Sequence, residues 1–162
     1  MFFWFIGTAI ITVGLVFRDP RFDYRLLIVG SVLPIGDGIF GGARWLHSIT
    51  VSVVLLAVLM IATAGRRPIR KMLLGLPIGM ILHLVFDGAW NNTEVFWWPF
   101  FGLDFRDAPL PITDRGIWSL LLEAIGVALC VWLWRHNRLG DRARRSAFLQ
   151  TGQLDAVPDR FG

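Results

Sequence analysis

Long apolar runs separated by short polar turns are the feature that most constrains the fold of this chain. There are five of them, at residues 1–17, 26–40, 45–64, 72–90 and 117–134. A helix needs about 20 mainly apolar residues to cross a hydrocarbon core of about 30 Å. Each run comes near that length, and no long polar stretch is left to form a separate soluble domain. We therefore predict an all-α integral membrane helical bundle of about five spans.

The charged residues support a membrane setting and argue against a nucleic-acid partner. They make up 17% of the 162 residues, whereas an average soluble domain has about 25%. The net charge is +4, but the arginines lie beside apolar runs. In that position they indicate the orientation of the chain in the membrane and contacts with anionic lipids. Cys130, the single cysteine, leaves no disulfide framework and no cysteine-based metal site.

Two of the runs differ from an ordinary span. The first, residues 1–17, has no positively charged leading segment and no small-residue cleavage pattern, so we expect a span and not a signal peptide. The second, residues 26–40, is interrupted by glycines and by Pro34, which predicts a helix that gives way to irregular backbone. Irregular backbone at membrane depth must be buried in protein or line a wet cavity.

Arginine and lysine set the predicted orientation. Basic residues crowd the turn at 66–71 and the segment that follows residue 134, at Arg135, Arg138, Arg142, Arg144 and Arg145. By the positive-inside rule both regions are cytoplasmic. Five spans then place the N-terminus outside and the polar, arginine-containing tail, residues 136–162, inside. The membrane domain is residues 1–135, and an aromatic loop at 91–116 lies on the outer side.

Polar groups with the chemistry of metal ligands gather at the outer ends of three runs. His83 and Asp87 are four residues apart and therefore share one face of a helix. Asp37 ends the broken second run, and His47 begins the third. Because these ends lie on the same side of the predicted bundle, we expect the four side chains to share one small pocket.

Histidine and carboxylate together are the usual ligands of catalytic zinc, which keeps one position open for water. Zinc is therefore the first choice of metal, and manganese or iron would also accept these ligands. For any one residue the alternative is a histidine bonded to a backbone carbonyl, or an aspartate that caps a helix. For all four together that alternative weakens, because acids inside a membrane are usually kept for function.

The order of four short motifs resembles a known family. The motifs "LPIGD", "LHS", "HLVFDG" and "FWWPFFG" are similar in type and order to those of the bacterial membrane-bound metal-dependent hydrolases, including the LexA-binding, inner-membrane-associated group. The resemblance covers residues 30–102 and implies phosphoester hydrolysis. Two positions depart from it: Ile35 replaces the family's first aspartate, and no histidine lies between Asp37 and His47. Two interpretations are therefore open: a site that holds one metal ion, and a degenerate site that no longer hydrolyses a substrate.

Three further residues have candidate roles at this site. Arg44 could neutralise a substrate phosphate, or contact lipid phosphate as an interface residue. Glu123 is a candidate general base or a partner for a histidine N–H, with pairing to another helix as the alternative. Ser48 would be a nucleophile only if a base faced it, and a hydrogen bond to backbone is the favoured alternative. The loop tryptophans, Trp90, Trp97 and Trp98, are expected at the membrane interface, and Arg115 in a solvated loop.

These observations predict a metal-dependent hydrolase that acts on a lipid or lipid-linked phosphoester at the outer face of the bacterial inner membrane. Its partners would be membrane lipids and an amphiphilic phosphoester substrate. The main alternative is a non-catalytic membrane subunit or scaffold that packs in a larger complex, and a membrane partner or homo-oligomer is open in either case. A transporter is less favoured, because the chain is small and has no internal repeat.

Overall fold

Helices account for all the regular secondary structure in the computed structural model, which describes residues 1–19, 22–105 and 115–154. Within these ranges the α-helices are α1 (Phe2–Phe17), α2 (Tyr24–Val32), α3 (Ile49–Ala62), α4 (Arg67–Leu73), α5 (Gly75–Asp87), α6 (Thr93–Phe96), α7 (Ile117–His136) and α8 (Arg142–Thr151). Short 3₁₀ helices are formed by Leu33–Phe40, Trp45–His47 and Ala89–Asn91. The all-α class predicted from the sequence is confirmed.

Two helical segments of the described chain are long and apolar enough to cross a membrane. One is Arg67–Asp87, in which α4 continues into α5, and the other is α7. The α1 and α3 helices are apolar but have only 16 and 14 residues. Membrane-compatible helices are thus present, while the arrangement of about five full spans stays a prediction.

The second apolar run is broken where the sequence predicted a break. The α2 helix ends at Val32, and the chain continues as a 3₁₀ helix that has Pro34 in its first turn. Proline has no backbone N–H to donate and fixes its own φ, so it suits the beginning of a new helical segment. This change of backbone geometry places Asp37 in a buried position, where its carboxylate contacts His47.

Glycines bring α2 and α5 unusually close together. Gly75 and Gly79 lie one turn apart on α5, and a Cβ atom on Gly79 would be 2.7 Å from the Ser31 nitrogen of α2. Gly30 makes the matching approach from α2, where a methyl group would overlap the backbone of Leu76. Small residues of this kind let two helix backbones approach each other. The contact controls which backbone groups of α2 reach the side chains of α5.

The α7 helix packs mainly on α1. Gly7 and Gly126 form this contact, since a Cβ atom on Gly126 would overlap the backbone of Trp4. The rest of α7 is largely uncovered, and only 11% of its most apolar stretch is buried inside the protein. An apolar helix with so little protein cover has the surface expected of a lipid-facing helix.

The C-terminal segment folds back onto the beginning of α2. The Arg25 guanidinium donates hydrogen bonds to the carbonyls of Leu149 and Gln150 at the end of α8, and the Tyr24 amide donates to the Gly152 carbonyl over 2.8 Å. Burial raises the pKa of the Asp23 carboxyl, but hydrogen bonds and positive charge from Arg25 outweigh burial and hold that pKa below its ordinary value. Part of the polar tail therefore contacts the beginning of α2. Its described part is a docked helix, and residues 155–162 lie outside the described residues.

Candidate metal centre

The end of α5 supplies the first two groups of the site. His83 and Asp87 are both buried, one turn apart on the face of α5 that looks into the protein. The helix stops directly afterwards, because Gly88 adopts a left-handed φ of 60°, a conformation that glycine tolerates best. Asp87 is therefore held at the helix end, where its backbone carbonyl remains open to a partner from another segment.

A backbone carbonyl of α2 fixes the ring of His83. The His83 Nδ1 atom lies 2.7 Å from the Ser31 carbonyl oxygen. A carbonyl can only accept, so Nδ1 carries the proton and donates. In a neutral ring this leaves Nε2 with a free lone pair. The ring is also held from α1, since the Phe5 ring packs against it with centroids 3.8 Å apart.

Asp37 plays the same part for His47. The His47 Nδ1 atom lies 2.9 Å from Asp37 Oδ2, so the imidazole donates to the carboxylate and leaves Nε2 free. The same oxygen accepts from the backbone amides of Arg44, at 2.9 Å, and His47, at 3.2 Å. The other oxygen, Asp37 Oδ1, is buried without a hydrogen-bond partner among the described residues.

The free faces of the two histidines meet at Asp87. Asp87 Oδ2 lies 3.6 Å from His47 Nε2 and 3.9 Å from His83 Nε2. One nitrogen or oxygen from each of the three residues lies within 4.8 Å of the others, and all three side chains are buried. Three of the four predicted residues thus lie together, and Asp37 adjoins them through His47.

The spacing of these three residues is close to that of ligands around a bound metal ion. Ligands held tetrahedrally at about 2.0–2.1 Å from zinc, for example, are about 3.3–3.4 Å apart. Asp87 lies 3.6 and 3.9 Å from the two histidine nitrogens, and all three ligand atoms lie within 4.8 Å of one another. In addition, each histidine has its outward nitrogen bonded to an acceptor, as metal-binding histidines usually have. His47, His83 and Asp87 could thus hold a metal ion, with Asp37 orienting His47. Of the four predicted ligands, His47, His83 and Asp87 face one another, and Asp37 lies on the far side of the His47 ring.

Arg115 is a member of this site that the sequence prediction placed in a solvated loop, which is wrong. Its guanidinium donates a hydrogen bond to the Asp87 backbone carbonyl, and its Nη1 atom lies 3.3 Å from Asp87 Oδ1. Arg115 lies at the beginning of α7, so it joins that helix to the end of α5. Its positive charge offsets the buried carboxylate of Asp87 and leaves Asp87 Oδ2 turned toward the histidines.

The two predicted catalytic residues lie in different surroundings. Arg44 adjoins the site, because its amide bonds Asp37 and its guanidinium carbon lies 5.7 Å from the ring centre of Phe105. Glu123 instead accepts hydrogen bonds from the backbone amides of Phe3 and Trp4, at 3.2 and 3.3 Å. These amides belong to the first turn of α1, which needs acceptors from outside the helix. The observed contacts of Glu123 are those of a helix cap.

The aromatic loop is tied to the site through Ser48. The Ser48 hydroxyl donates to the carbonyls of Phe96 and Trp98 and accepts from the Thr50 amide at the beginning of α3. Its predicted hydrogen bonding to backbone is therefore confirmed. Residues 96–98 of the loop therefore lie beside the segment that carries His47, and residues 106–114 of the loop lie outside the described residues.

The loop tryptophans have two kinds of surroundings. Trp90 and Trp97 are about half exposed, as interface residues would be. Trp98 differs, because its ring stacks on Phe105 and its indole nitrogen is buried.

Sequence reasoning missed Ser31, Phe5 and Arg115. Ser31 acts through its backbone carbonyl, and Phe5 is one apolar residue in an apolar helix, so neither carries a sequence signal. Arg115 did carry a weak one, since it is the last basic residue before an apolar run that begins on the same side as Asp87.

No protein-family model matches the chain, and searches of curated proteins and of solved structures give no significant match.

Proposed function

We propose that this chain is a multi-pass protein of the bacterial cytoplasmic membrane that hydrolyses a lipid or lipid-linked phosphoester with one bound divalent metal, zinc first and manganese second. The observation that supports this most is the group formed by His47, His83 and Asp87, whose ligand atoms lie within 4.8 Å of one another. Both histidines have the second ring nitrogen bonded. The family resemblance adds the reaction class to this proposal.

A zinc ion bound there would supply a water molecule with a pKa of about 7, which is a nucleophile at neutral pH. The protein's own residues prepare the site for this chemistry. Asp37 and the Ser31 carbonyl hold the two imidazoles with Nε2 directed inward, so little reorganisation is needed when ligands bind. Arg115 fixes the Asp87 carboxylate and adds positive charge beside the point where an anionic substrate would react.

Metal analysis of purified variants tests the proposal. The parent should bind about one zinc per chain, whereas His47→Ala, His83→Ala and Asp87→Ala should each lose it together with phosphoesterase activity, because two remaining ligands hold zinc poorly. The double variant of His83 and Asp87 should lose no more than either single one, since these groups act as a unit. His136→Ala is the matched control, because His136 stacks on Trp132 instead.

The result that contradicts the proposal is equally specific. If His83→Ala binds as much zinc as His136→Ala, the site is not a metal centre. Weakened folding or partner binding in the ligand variants, with unchanged metal content, would favour the non-catalytic membrane subunit.

The proposed orientation places the metal site at the extracytoplasmic face, with the N-terminus outside and the tail inside. Reporter fusions after Arg70 and after Arg138 should both read cytoplasmic, because basic residues cluster at these positions. A periplasmic reading after Arg70 would invert the orientation and move the site to the other face.

A further inference from the structure

Two buried N–H groups beside the metal centre have no acceptor. The Nε atom of Arg44 and the Nε1 atom of Trp98 are both buried and without a hydrogen-bond partner among the described residues. Both side chains pack on Phe105: the Arg44 guanidinium carbon is 5.7 Å from its ring centre, and the Trp98 ring stacks on it at 5.8 Å. Phe105 and the two side chains that pack on it form one corner of the protein.

Unpaired buried donors call for an explanation, because nearly all such groups in folded proteins have a partner. Neither group can become an acceptor, since indole nitrogen only donates and guanidinium stays protonated. A ligand that satisfies both must therefore bring acceptor atoms. Guanidinium also favours a ligand with negative charge, and phosphate oxygens match its planar geometry.

The position of this corner connects it with the proposed chemistry. The Arg44 amide bonds the same Asp37 oxygen that receives the His47 ring. The Trp98 carbonyl accepts from Ser48, the residue that follows His47. The backbones of Arg44 and Trp98 therefore both contact residues that adjoin or orient His47.

The surface next to this corner is apolar and exposed. The Phe40 ring contacts Trp45, and Trp45 contacts Phe105, so an aromatic surface leads outward from the two donors. At its edge Ile39 is 86% exposed and Phe100 is 76% exposed. A ligand with an anionic head and an apolar tail would be complementary to both parts.

We propose that Arg44 and Trp98 form a subsite for the phosphoryl oxygens of a lipid-borne phosphate group, with the tail lying along the aromatic surface. This inference deepens the proposed function and rests on it for the reaction. Free phosphate offers the same oxygens to the two donors, but it has nothing to place on the aromatic surface.

Calorimetric titration of the full chain in detergent micelles tests the subsite. The probes are inorganic phosphate, phosphatidic acid, and diacylglycerol, which has the same tail without phosphate. Trp98→Phe keeps the ring and removes only the N–H, and Arg44→Gln removes the charge. Each variant should bind phosphatidic acid roughly 10- to 100-fold more weakly than the parent, the loss expected for one hydrogen bond to a charged group.

Matched controls are Trp97→Phe, the neighbouring and more exposed indole, and Arg67→Gln, at the beginning of α4. Both should bind like the parent. Arg44→Lys serves as a second variant if Arg44→Gln folds poorly. Its affinity for phosphatidic acid should lie between those of the parent and Arg44→Gln, because lysine keeps the charge without the planar donors.

Three results would overturn the subsite. Affinity for phosphatidic acid within twofold of the parent in both Trp98→Phe and Arg44→Gln would show that the donors bind no phosphate. If inorganic phosphate binds as tightly as phosphatidic acid, the lipid tail contributes nothing to binding. If diacylglycerol binds as tightly as phosphatidic acid, the phosphate group contributes nothing. Running the titrations with and without zinc separates the proposals: a parent that binds no zinc, with both variants still weakened, refutes the metal centre and keeps the subsite.

Discussion

Replacing Gly79 by alanine should damage the metal centre from a distance, through the contact between α2 and α5. A Cβ atom at this position would lie 2.7 Å from the Ser31 nitrogen and closer still to the Leu27 oxygen, whereas ordinary contact begins at about 3.5 Å. The two helices must then separate by about 1 Å to relieve the closer overlap. His83 Nδ1 and the Ser31 carbonyl, now 2.7 Å apart, would move to about 3.7 Å, beyond the usual hydrogen-bond range.

Two magnitudes follow from this displacement. Overpacking should lower the free energy of unfolding by about 1–3 kcal/mol. Replacing a glycine inside a helix by alanine should raise it by about 1 kcal/mol, because alanine favours the helix. The net loss is about 1 kcal/mol. The larger effect is on metal binding. A histidine ligand that loses its second hydrogen bond typically lowers metal affinity roughly 10- to 100-fold.

The assay is zinc competition with a chelator, run beside thermal unfolding in detergent. Gly75→Ala is the matched control, since its Cβ would lie 2.8 Å from the Leu27 nitrogen, a smaller overlap with the same helix, one turn further from His83. Both variants should lose stability, but only Gly79→Ala should lose zinc affinity. Equal zinc affinities in the two variants would refute the idea that the Ser31 carbonyl prepares His83.

Three other changes have expected outcomes of their own. Glu123→Gln should lower stability by about 1 kcal/mol through the α1 cap and keep zinc and turnover; a fall in turnover of about 10²-fold at unchanged stability would restore its predicted role as general base. Arg115→Gln should destabilise the zinc-free protein by about 3 kcal/mol, because it leaves the buried Asp87 carboxylate without a partner. Added zinc should recover part of this lost stability by binding the same carboxylate. An equal loss with and without zinc would argue that Asp87 does not bind the metal. Because the pKa of Asp23 is lowered in the fold, its pairing with Arg25 should be complete above the ordinary carboxyl pKa of about 3.9. The pairing should be lost as the pH falls through the lowered pKa. Hydrogen exchange of α8 should therefore rise at acid pH in the parent and show no such step in Asp23→Asn.

The sequence by itself determined the features that depend on short stretches of chain. The apolar runs specify helices, because burying or embedding a long apolar segment requires its backbone hydrogen bonds to be made internally. Pro34 and the glycines around it determine the end of α2, since they act on the backbone within one or two residues. The placement of His83 and Asp87 on one face follows from the helical repeat alone. These are the parts of the fold and site that could be predicted.

Only the tertiary structure decided how these parts meet. His83 depends on a carbonyl 52 residues away, and that contact exists because glycines on α2 and α5 permit a close approach of two backbones. Glu123 lies at the beginning of α1, and Arg115 lies at Asp87, because of how α7 packs on α1. Several side-chain pairings are compatible with the same helices, and the one observed depends on contacts between segments far apart in the sequence. The local pattern could therefore predict a metal site at the end of α5, but not which groups orient its ligands.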